Sequence, residues 1–236
     1  MKKNTTLLIL VAAFGVLSVA ATAHKGGWVK LFNGKDLAGW LSTRDTTKPA
    51  TGWNVATGEL SLSPPAGKET LTGGDIITKD EYSAFDLTFE FKTTPGANSG
   101  VKYFVTVDKA HGALGLEYQV LDDDVNPDAK LGRDGDRTES SLYDLIPAKK
   151  APGVYKSVGE WNTGRIVVYP NNHVEHYLNG SKVLEYERLS PEFKALIAIS
   201  KYKNYDGFGI GPRGHILLQD HGCAVSFRNI KIKVLQ

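Results

Sequence analysis

Apolar and polar residues alternate over several short stretches of this chain, and this alternation is the feature that most limits its fold. Residues 87–92, for example, read LTFEFK. Side chains of a β-strand point alternately to opposite faces, so the pattern predicts a strand with one apolar and one polar face. Comparable runs predict strands at residues 101–107, 114–121, 165–169, 174–178, 182–186, 215–218 and 225–234.

Turn and helix signals complete this pattern. Asn179 and Gly180 separate two predicted strands and favour a two-residue hairpin, because a type I′ turn needs positive φ at both positions. A single short helix is predicted after Ser190, a favourable N-cap, with Pro191 in its first position. Many strands with one short helix predict an all-β fold, a β-sandwich or jelly roll of antiparallel sheets.

Four stretches lack strand periodicity, at residues 42–51, 63–75, 122–152 and 202–214. The third is far longer than the ~12–15 residues of most structureless loops, which indicates a functional or disordered segment. Leu142, Tyr143 and Ile146 could anchor it, so we expect an ordered wall over one sheet face. Repeats and low-complexity linkers are absent from the sequence, which predicts a single domain over residues 24–236.

The first 23 residues have the pattern of a signal peptide. Lys2 and Lys3 precede an apolar run at residues 7–19, and the small residues 21–23 form a cleavage site before His24. A membrane anchor is the alternative, but the run is short for the ~20 residues that span a bilayer. We therefore expect an exported protein, periplasmic or secreted, without a membrane span after cleavage.

Charge and cysteine content exclude several classes of protein. The chain has 28 basic and 26 acidic residues, and loss of the two leader lysines leaves 26 of each. A neutral chain argues against nucleic acid as a partner, because phosphate binding needs a basic face. The single cysteine, Cys223, excludes an intramolecular disulfide and is predicted to lie in the core. The sequence gives no indication of an oligomeric state.

The first candidate for chemistry is the stretch at residues 117–122, which reads EYQVLD. Glu117 and Gln119 share one face of the predicted strand, and Asp122 would join them only through a bulge. Two carboxyl groups at a glycosidic bond can protonate the leaving oxygen and activate water. The spacing is similar to that of laminarinase-type endoglucanases, but Gln119 replaces one of their acids. The alternative is a half-exposed strand with ordinary polar residues.

A second candidate group follows at Gln219, Asp220 and His221, with Arg228 a few residues further on. The pKa of an unperturbed histidine lies near neutrality, which suits proton transfer. Arg228 could bind a sugar hydroxyl or an enolate oxygen through its fork of donors. The alternative is a turn closed by Asp220 together with a structural salt bridge.

Other signals are weaker. The acidic residues at 134–139 could hold Ca²⁺, but a solvated turn is favoured because the ligand series is incomplete. His173 and His176 are predicted to lie on opposite faces of a strand, which disfavours a shared metal. Trp161 is predicted to lie in the core. Asn98, at a strand entrance, could point into a cleft.

Eight stretches in order make the chain similar to the 3-keto-disaccharide hydrolase family. They are residues 31–40, 85–92, 98–100, 117–122, 141–144, 159–162, 178–180 and 218–230. The resemblance implies a concanavalin A-like jelly roll of two antiparallel sheets, the concave one forming a sugar cleft. It also implies an exported enzyme acting on glycosides whose C3 hydroxyl is oxidised to a ketone. Candidate substrate-binding residues in or near these stretches are Asn98, Lys102, Gln119, Tyr143, Gln219 and Asp220.

The chemistry of such a substrate assigns roles to the candidate residues. A C3 ketone acidifies the C2 hydrogen, a base removes it, and the enolate expels the C1 substituent before water adds. The candidate bases are His221 and Glu117. The electrophile at the C3 oxygen would be Arg228 or a bound divalent cation, although the sequence gives no sign of a cofactor. The candidate acids are Asp122 and Tyr143.

Two other functions stay open at this point. One is a lectin-like module that binds carbohydrate without catalysis, because the same fold hosts both activities. The other is a conventional retaining endoglucanase, which needs two carboxyl groups roughly 5–5.5 Å apart.

Overall fold

The computed structural model describes residues 26–64, 73–108 and 110–236, so the predicted signal peptide lies outside the described residues. Within these ranges the chain forms thirteen β-strands, one α-helix and one 3₁₀ helix at Pro127–Lys130. The elements are β1 (Val29–Lys30), β2 (Trp40–Ser42), β3 (Asn54–Ala56), β4 (Glu59–Leu62), β5 (Ile76–Thr78), β6 (Phe85–Thr93), β7 (Asn98–Asp108), β8 (Gly112–Leu121), β9 (Asn162–Val168), β10 (His173–Leu178), β11 (Ser181–Glu187), α1 (Pro191–Ile199), β12 (His215–Leu218) and β13 (Val225–Val234).

The strands form two antiparallel sheets. The large sheet has the order β11-β10-β9-β6-β13-β4-β3, and β1 also pairs with β13. The small sheet has the order β2-β5-β12-β7-β8. This β-sandwich confirms the predicted all-β jelly roll of concanavalin A type. All the strands predicted from the alternation are present.

The core lies between the two sheets. Leu87, Phe89 and Phe91 of β6 are fully buried, as the alternation predicts. From the small sheet, Tyr118 of β8 meets Phe89 edge to face, with ring centroids 5.2 Å apart. Since Leu116, Tyr118 and Val120 point into the core, the residues between them are directed to the opposite, outer face of the small sheet.

The predicted turn and helix are both confirmed. Asn179 and Gly180 have φ values of 48° and 85°, as the type I′ hairpin requires. The backbone N–H of Phe193 donates to Oγ of Ser190 (3.1 Å), which caps α1. No helix within the described parts of the chain is long and apolar enough to cross a membrane.

The long segment after β8 is ordered, and part of it runs beside that strand. The N–H of Ser140 donates to the carbonyl of Gln119 (2.9 Å), and that of Tyr143 donates to the carbonyl of Glu117 (3.0 Å). Leu142 is fully buried and anchors the segment. It therefore extends the edge of the small sheet, whereas the sequence predicted a wall over the sheet face. The edge of β8 is thereby paired instead of open.

A buried histidine connects this segment to the core. His176 of β10 is fully buried, and its Nε2 lies 2.8 Å from the hydroxyl of Tyr103, while its Nδ1 lies 3.1 Å from the carbonyl of Ser140. Only a ring N–H can satisfy that carbonyl, so Nδ1 donates and Nε2 accepts from Tyr103. Burial lowers the pKa of His176 to about 4, which keeps the ring neutral. His173 lies at the surface, so the predicted separation of the two histidines is confirmed.

The acidic stretch at residues 134–139 is not the solvated turn that its sequence favoured. Asp136 and Glu139 are almost fully buried. The N–H of Leu121 donates to Oε2 of Glu139 (2.7 Å), and the Ser140 hydroxyl donates to Oε1 (3.0 Å). Burial raises the pKa of Glu139 to about 8, although the bond from Leu121 and the charge of Lys150 oppose this. A carboxyl group here is therefore largely neutral near pH 7.

Glu139→Gln tests this buried acid. Because the pKa of Glu139 (about 8) lies above the value of about 4.3 in an unfolded chain, the folded protein holds an extra proton between them. This stabilisation is complete below about pH 4 and is lost as pH rises through about 8. Relative to the variant, we expect the wild-type free energy of unfolding to fall by up to about 1.4 kcal/mol per pH unit in this window.

Denaturant unfolding of both proteins at a series of pH values measures this difference. Glutamine retains an oxygen acceptor for the N–H of Leu121, so the comparison isolates the titration. A difference between the two proteins that stays constant from about pH 5 to 8 would contradict a raised pKa.

Candidate active site

Two cross-strand rows of side chains form the outer face of the small sheet. In one row Glu117 of β8 lies opposite Lys102 of β7. In the next row Gln119 lies opposite Gly100, whose carbonyl accepts the N–H of Gln219 beyond the end of β12. Asn98 lies one row further along the same face of β7 and is buried. The alternation of β7 and β8 therefore brings the predicted polar residues together.

The carboxylate of Glu117 occupies the space above Gly100. A Cβ atom on Gly100 would overlap Oε1 of Glu117, so only glycine leaves room for the carboxylate here. The ammonium of Lys102 lies 3.6 Å from Oε2 of Glu117, and the two side chains are 14% and 4% exposed. The absent side chain of Gly100 thus creates a slot that holds the acid beside its cation.

Charged groups from four further positions act on Glu117. Burial raises the pKa of Glu117, the nearby positive charges of Lys102, Lys201 and His221 lower it, and Asp75 raises it. His221 is exposed at the turn after β12. The structure therefore places His221 and Glu117 within electrostatic range of each other, while the catalytic roles assigned to them stay predictions.

Sequence reasoning missed Asp75 and Lys201. Asp75 directly precedes β5, where burial raises the pKa of its carboxyl and Lys102 lowers it. Lys201 directly follows the C-cap of α1, and its ammonium lies 4.0 Å from the ring centre of Tyr143. Although much of Lys201 is exposed, burial lowers the pKa of its ammonium. Neither residue belongs to a recognisable spacing pattern in the sequence. Each reaches the site only through the order of the strands in the fold.

Tyr143 lines the site without offering a free proton. Its hydroxyl donates to Oδ2 of Asp128 (2.8 Å), and burial raises its pKa. Arg137 holds Asp128 and Asp144 on either side, at 3.0 and 2.6 Å. The predicted role of Tyr143 as an acid is therefore disfavoured, because burial and the hydrogen bond to Asp128 raise its pKa still further above neutrality. Its aromatic ring packs against the ammonium group of Lys201.

Asp122 does not join Glu117, because the bulge that this would require is absent at the end of β8. From Leu116 to Leu121, where it ends, β8 pairs with β7 without a shift in register. The carboxylate of Asp122 accepts the N–H groups of Gly96 (2.7 Å) and Asp124 (3.2 Å). It therefore stabilises the turns at the strand end, which explains its burial.

Asp220 has a structural position of the same kind. Its Oδ2 accepts the N–H groups of Gly73 (3.0 Å) and Gly74 (2.8 Å), and its Oδ1 accepts that of Gly222 (3.0 Å). These bonds tie the segment before β5 to the turn after β12. Asp220 thus supports the turn that carries His221, in agreement with the alternative stated from sequence.

Arg228 lies on the other sheet, so its predicted place beside Glu117 is wrong. It belongs to β13, where its Nε donates to Glu90 (2.6 Å). Its guanidinium lies 4.0 Å from the ring centre of Trp161, which is partly exposed and not in the core as predicted. The alternation of β13 buries Phe227 and turns Arg228 outward, away from the small sheet.

One group of side chains in the described part of the chain has the spacing of metal ligands. The ligand atoms of His173, Glu175 and Glu185 all lie within 4.8 Å of one another, on β10 and β11 of the large sheet. The ammonium of Lys182 contacts both carboxylates, at 3.1 and 2.5 Å, and offsets part of their negative charge. This group lies at the edge of the large sheet, whereas Glu117 belongs to the small sheet.

Comparisons with known proteins agree with this fold. The sequence profile of the 3-keto-alpha-glucoside-1,2-lyase-like domain matches residues 27–233. A 3-keto-disaccharide hydrolase of Bacteroides thetaiotaomicron is 37% identical over 233 residues, which cover 89% of this chain and 79% of the relative.

Two crystal structures from Parabacteroides distasonis ATCC 8503, both provisionally named glycosyl hydrolases, are also similar. The first has a TM-score of 0.77 and 30% identity, and the match covers 89% of this chain and 94% of that one. The second has a TM-score of 0.64 and 27% identity, with 89% and 100% covered. The sequence profile spans nearly the whole described sandwich, and on this ground the chain belongs to the 3-keto-alpha-glucoside-1,2-lyase-like domain family.

Proposed function

We propose that this protein is a hydrolase that cleaves the glycosidic bond of 3-keto-glycosides. The observation that carries the proposal is the gathering of titratable groups around Glu117: Lys102 lies 3.6 Å from its carboxylate, and His221 lies within electrostatic range of it. A binding module needs amides and aromatic rings, whereas proton transfer needs titratable groups close together. The name of the Bacteroides thetaiotaomicron relative supports the same substrate class.

The keto group determines which chemistry the site must supply. A base takes the C2 proton, and the electrons of the C2–H bond form an enolate with its charge on the C3 oxygen. The enolate collapses, the C1–O bond breaks, and the departing oxygen takes a proton from an acid. Water then adds to C1 while C2 regains a proton, so the net reaction is hydrolysis. This series of reaction steps needs a base, an acid and a cation. It needs no nucleophilic carboxylate.

Three residues fit these roles. His221, exposed at the site, takes the C2 proton. Lys102 lies 3.6 Å from Glu117 and supplies the positive charge for the enolate oxygen, in place of Arg228. Glu117 donates the proton to the leaving oxygen, because burial raises its pKa and favours the acid form.

Export belongs to the same proposal and is supported by the leader at residues 1–23. We expect N-terminal sequencing of the mature protein to begin at His24, in a fraction outside the cytoplasm. A mature protein that retains the leader would contradict this.

Release of the aglycone from a chromogenic 3-keto-glucoside tests the activity. We expect the purified protein to release it and expect Glu117→Gln and His221→Ala each to lower kcat by about 100-fold or more while ligand binding persists. The matched controls are Glu90→Gln and His173→Ala on the large sheet, which should leave the rate within about 2-fold.

The possible outcomes separate the candidate functions. Sugar binding without aglycone release would support the lectin-like alternative instead. Release that is unaffected by both variants would place the active site elsewhere.

Gly100→Ala tests the position of Glu117. The added methyl group would occupy the space of the carboxylate, so Glu117 must move, and we expect kcat to fall by about 10-fold or more. The end of a glutamate side chain shifts easily, so the free energy of unfolding should change by less than about 1 kcal/mol.

Gly115→Ala is the control for a general packing defect. Its Cβ would meet backbone atoms of Tyr103 and Val105, so we expect a loss of about 1–3 kcal/mol in denaturant unfolding. Full activity of Gly100→Ala would show that turnover does not need Glu117 above this glycine.

A further inference from the structure

Two glutamine side chains in the site leave a hydrogen-bonding requirement unmet. The amide oxygens of Gln119 and Gln219 are buried and accept no hydrogen bond from any described residue. Gln119 as a whole is fully buried. An unsatisfied buried acceptor costs about 1–3 kcal/mol, so each of these oxygens is expected to have a donor in the folded protein.

Both glutamines flank the slot that holds Glu117. Gln119 of β8 pairs with Gly100 on one side, and Gln219 pairs with it on the other through its backbone N–H (3.0 Å). The carboxylate of Glu117 lies above Gly100. Gln119 and Gln219 therefore flank, through their backbone pairing, the glycine above which the carboxylate lies.

The orientation of the Gln119 amide is fixed by its other end. Nε2 of Gln119 donates to the backbone carbonyl of Arg137 (3.4 Å), so exchanging the amide nitrogen and oxygen would set two acceptors against each other. The oxygen must therefore point away from Arg137. Because this oxygen is closed to solvent, neither bulk water nor an incoming sugar can supply its donor.

We propose that the protonated carboxyl of Glu117 donates its hydrogen bond to the amide oxygen of Gln119 or of Gln219, and that the two glutamines act as positioning residues which keep Glu117 in its acid form. An ionised carboxylate can only accept, so it would add a third acceptor to this slot. A protonated carboxyl supplies one O–H donor, which either amide oxygen can receive. Only one part of this proposal rests on the proposed function, namely that the proton of Glu117 is transferred to the leaving oxygen.

The charges around Glu117 act in both directions. Burial raises the pKa of Glu117, as does the carboxyl of Asp75, while the positive charges on neighbouring elements lower it. The titratable groups facing it from the other elements are Asp75, Lys102, Tyr143, Lys201, Tyr202 and His221. A hydrogen bond to the neutral form adds to the effect of burial. Glutamine suits position 119 because it accepts this bond and cannot ionise.

The side-chain amide signals of glutamine in NMR spectra provide the test. The chain contains only three glutamines, Gln119, Gln219 and Gln236, so few signals need assignment. Gln236 is exposed at the end of the chain and serves as an internal reference. We expect the Cδ shift of Gln119, of Gln219 or of both to change with pH, with a midpoint above the ordinary glutamate value of about 4.3.

Variants identify the group that titrates. Glu117→Gln should abolish this pH dependence, and Gln119→Met should lower the midpoint seen at Gln219 by about half a unit or more, because one acceptor is lost. Gln219→Met provides the reciprocal measurement if Gln119→Met does not fold. Glutamine signals that stay constant between about pH 4 and 9, or that titrate in Glu117→Gln, would overturn the proposal.

Because the titration needs no substrate, its failure is distinguishable from failure of the proposed function. An inactive protein whose glutamines titrate would refute the hydrolase proposal alone. An active protein whose glutamines do not titrate would refute the role of the glutamines alone.

Discussion

The alternation of side chains along β8 is the constraint on which the site depends. Each residue that the strand buries in the core directs its neighbour to the outer face. Tyr118 is held between the sheets by ring contacts with Phe89 (5.2 Å) and Phe91 (6.5 Å), and it cannot turn outward without opening the core. The positions of Glu117 and Gln119 therefore follow from core packing, and a shift of one residue in the register would exchange the two faces.

Pairing of both strand edges then fixes this geometry. On one side β8 pairs with β7, and on the other it receives hydrogen bonds from Ser140 and Tyr143. At the opposite end of the site, Asp220 binds the segment before β5 to the turn after β12. The charged side chains are thus carried by rigid backbone on all sides, which limits the reorganisation that catalysis would require.

Local signals in the sequence were sufficient for most of the fold. The alternation at residues 87–92 predicted β6 and its buried face, and Asn179 and Gly180 predicted the hairpin between β10 and β11. These features depend on neighbours within a few residues. The site residues Glu117, Gln119 and His221 were found because they lie in short polar stretches that interrupt apolar strands.

The residues that could not be predicted depend on the order of the strands. Lys201 reaches Glu117 only because α1 ends near the small sheet, and Asp75 reaches it only because β5, which follows it, is a strand of that sheet. Arg228 is close to His221 in sequence, yet β13 crosses to the large sheet, where Arg228 pairs with Glu90. Spacing along the chain cannot distinguish these cases, since long-range pairing decides which sheet a strand enters.

Burial of two acids near β8 has different consequences: one protonated carboxyl stabilises the fold, and the other supplies the acid of the proposed reaction. Burial raises the pKa of Glu139 and of Glu117, so the folded protein favours the neutral form of both. Glu139 receives hydrogen bonds from Leu121 and Ser140, and its proton has no use beyond stability. Glu117 instead lies 3.6 Å from Lys102, and in the proposed reaction its proton passes to the leaving oxygen. A rise in pH therefore removes stability through both acids, and through Glu117 it also removes the acid on which the proposed reaction depends.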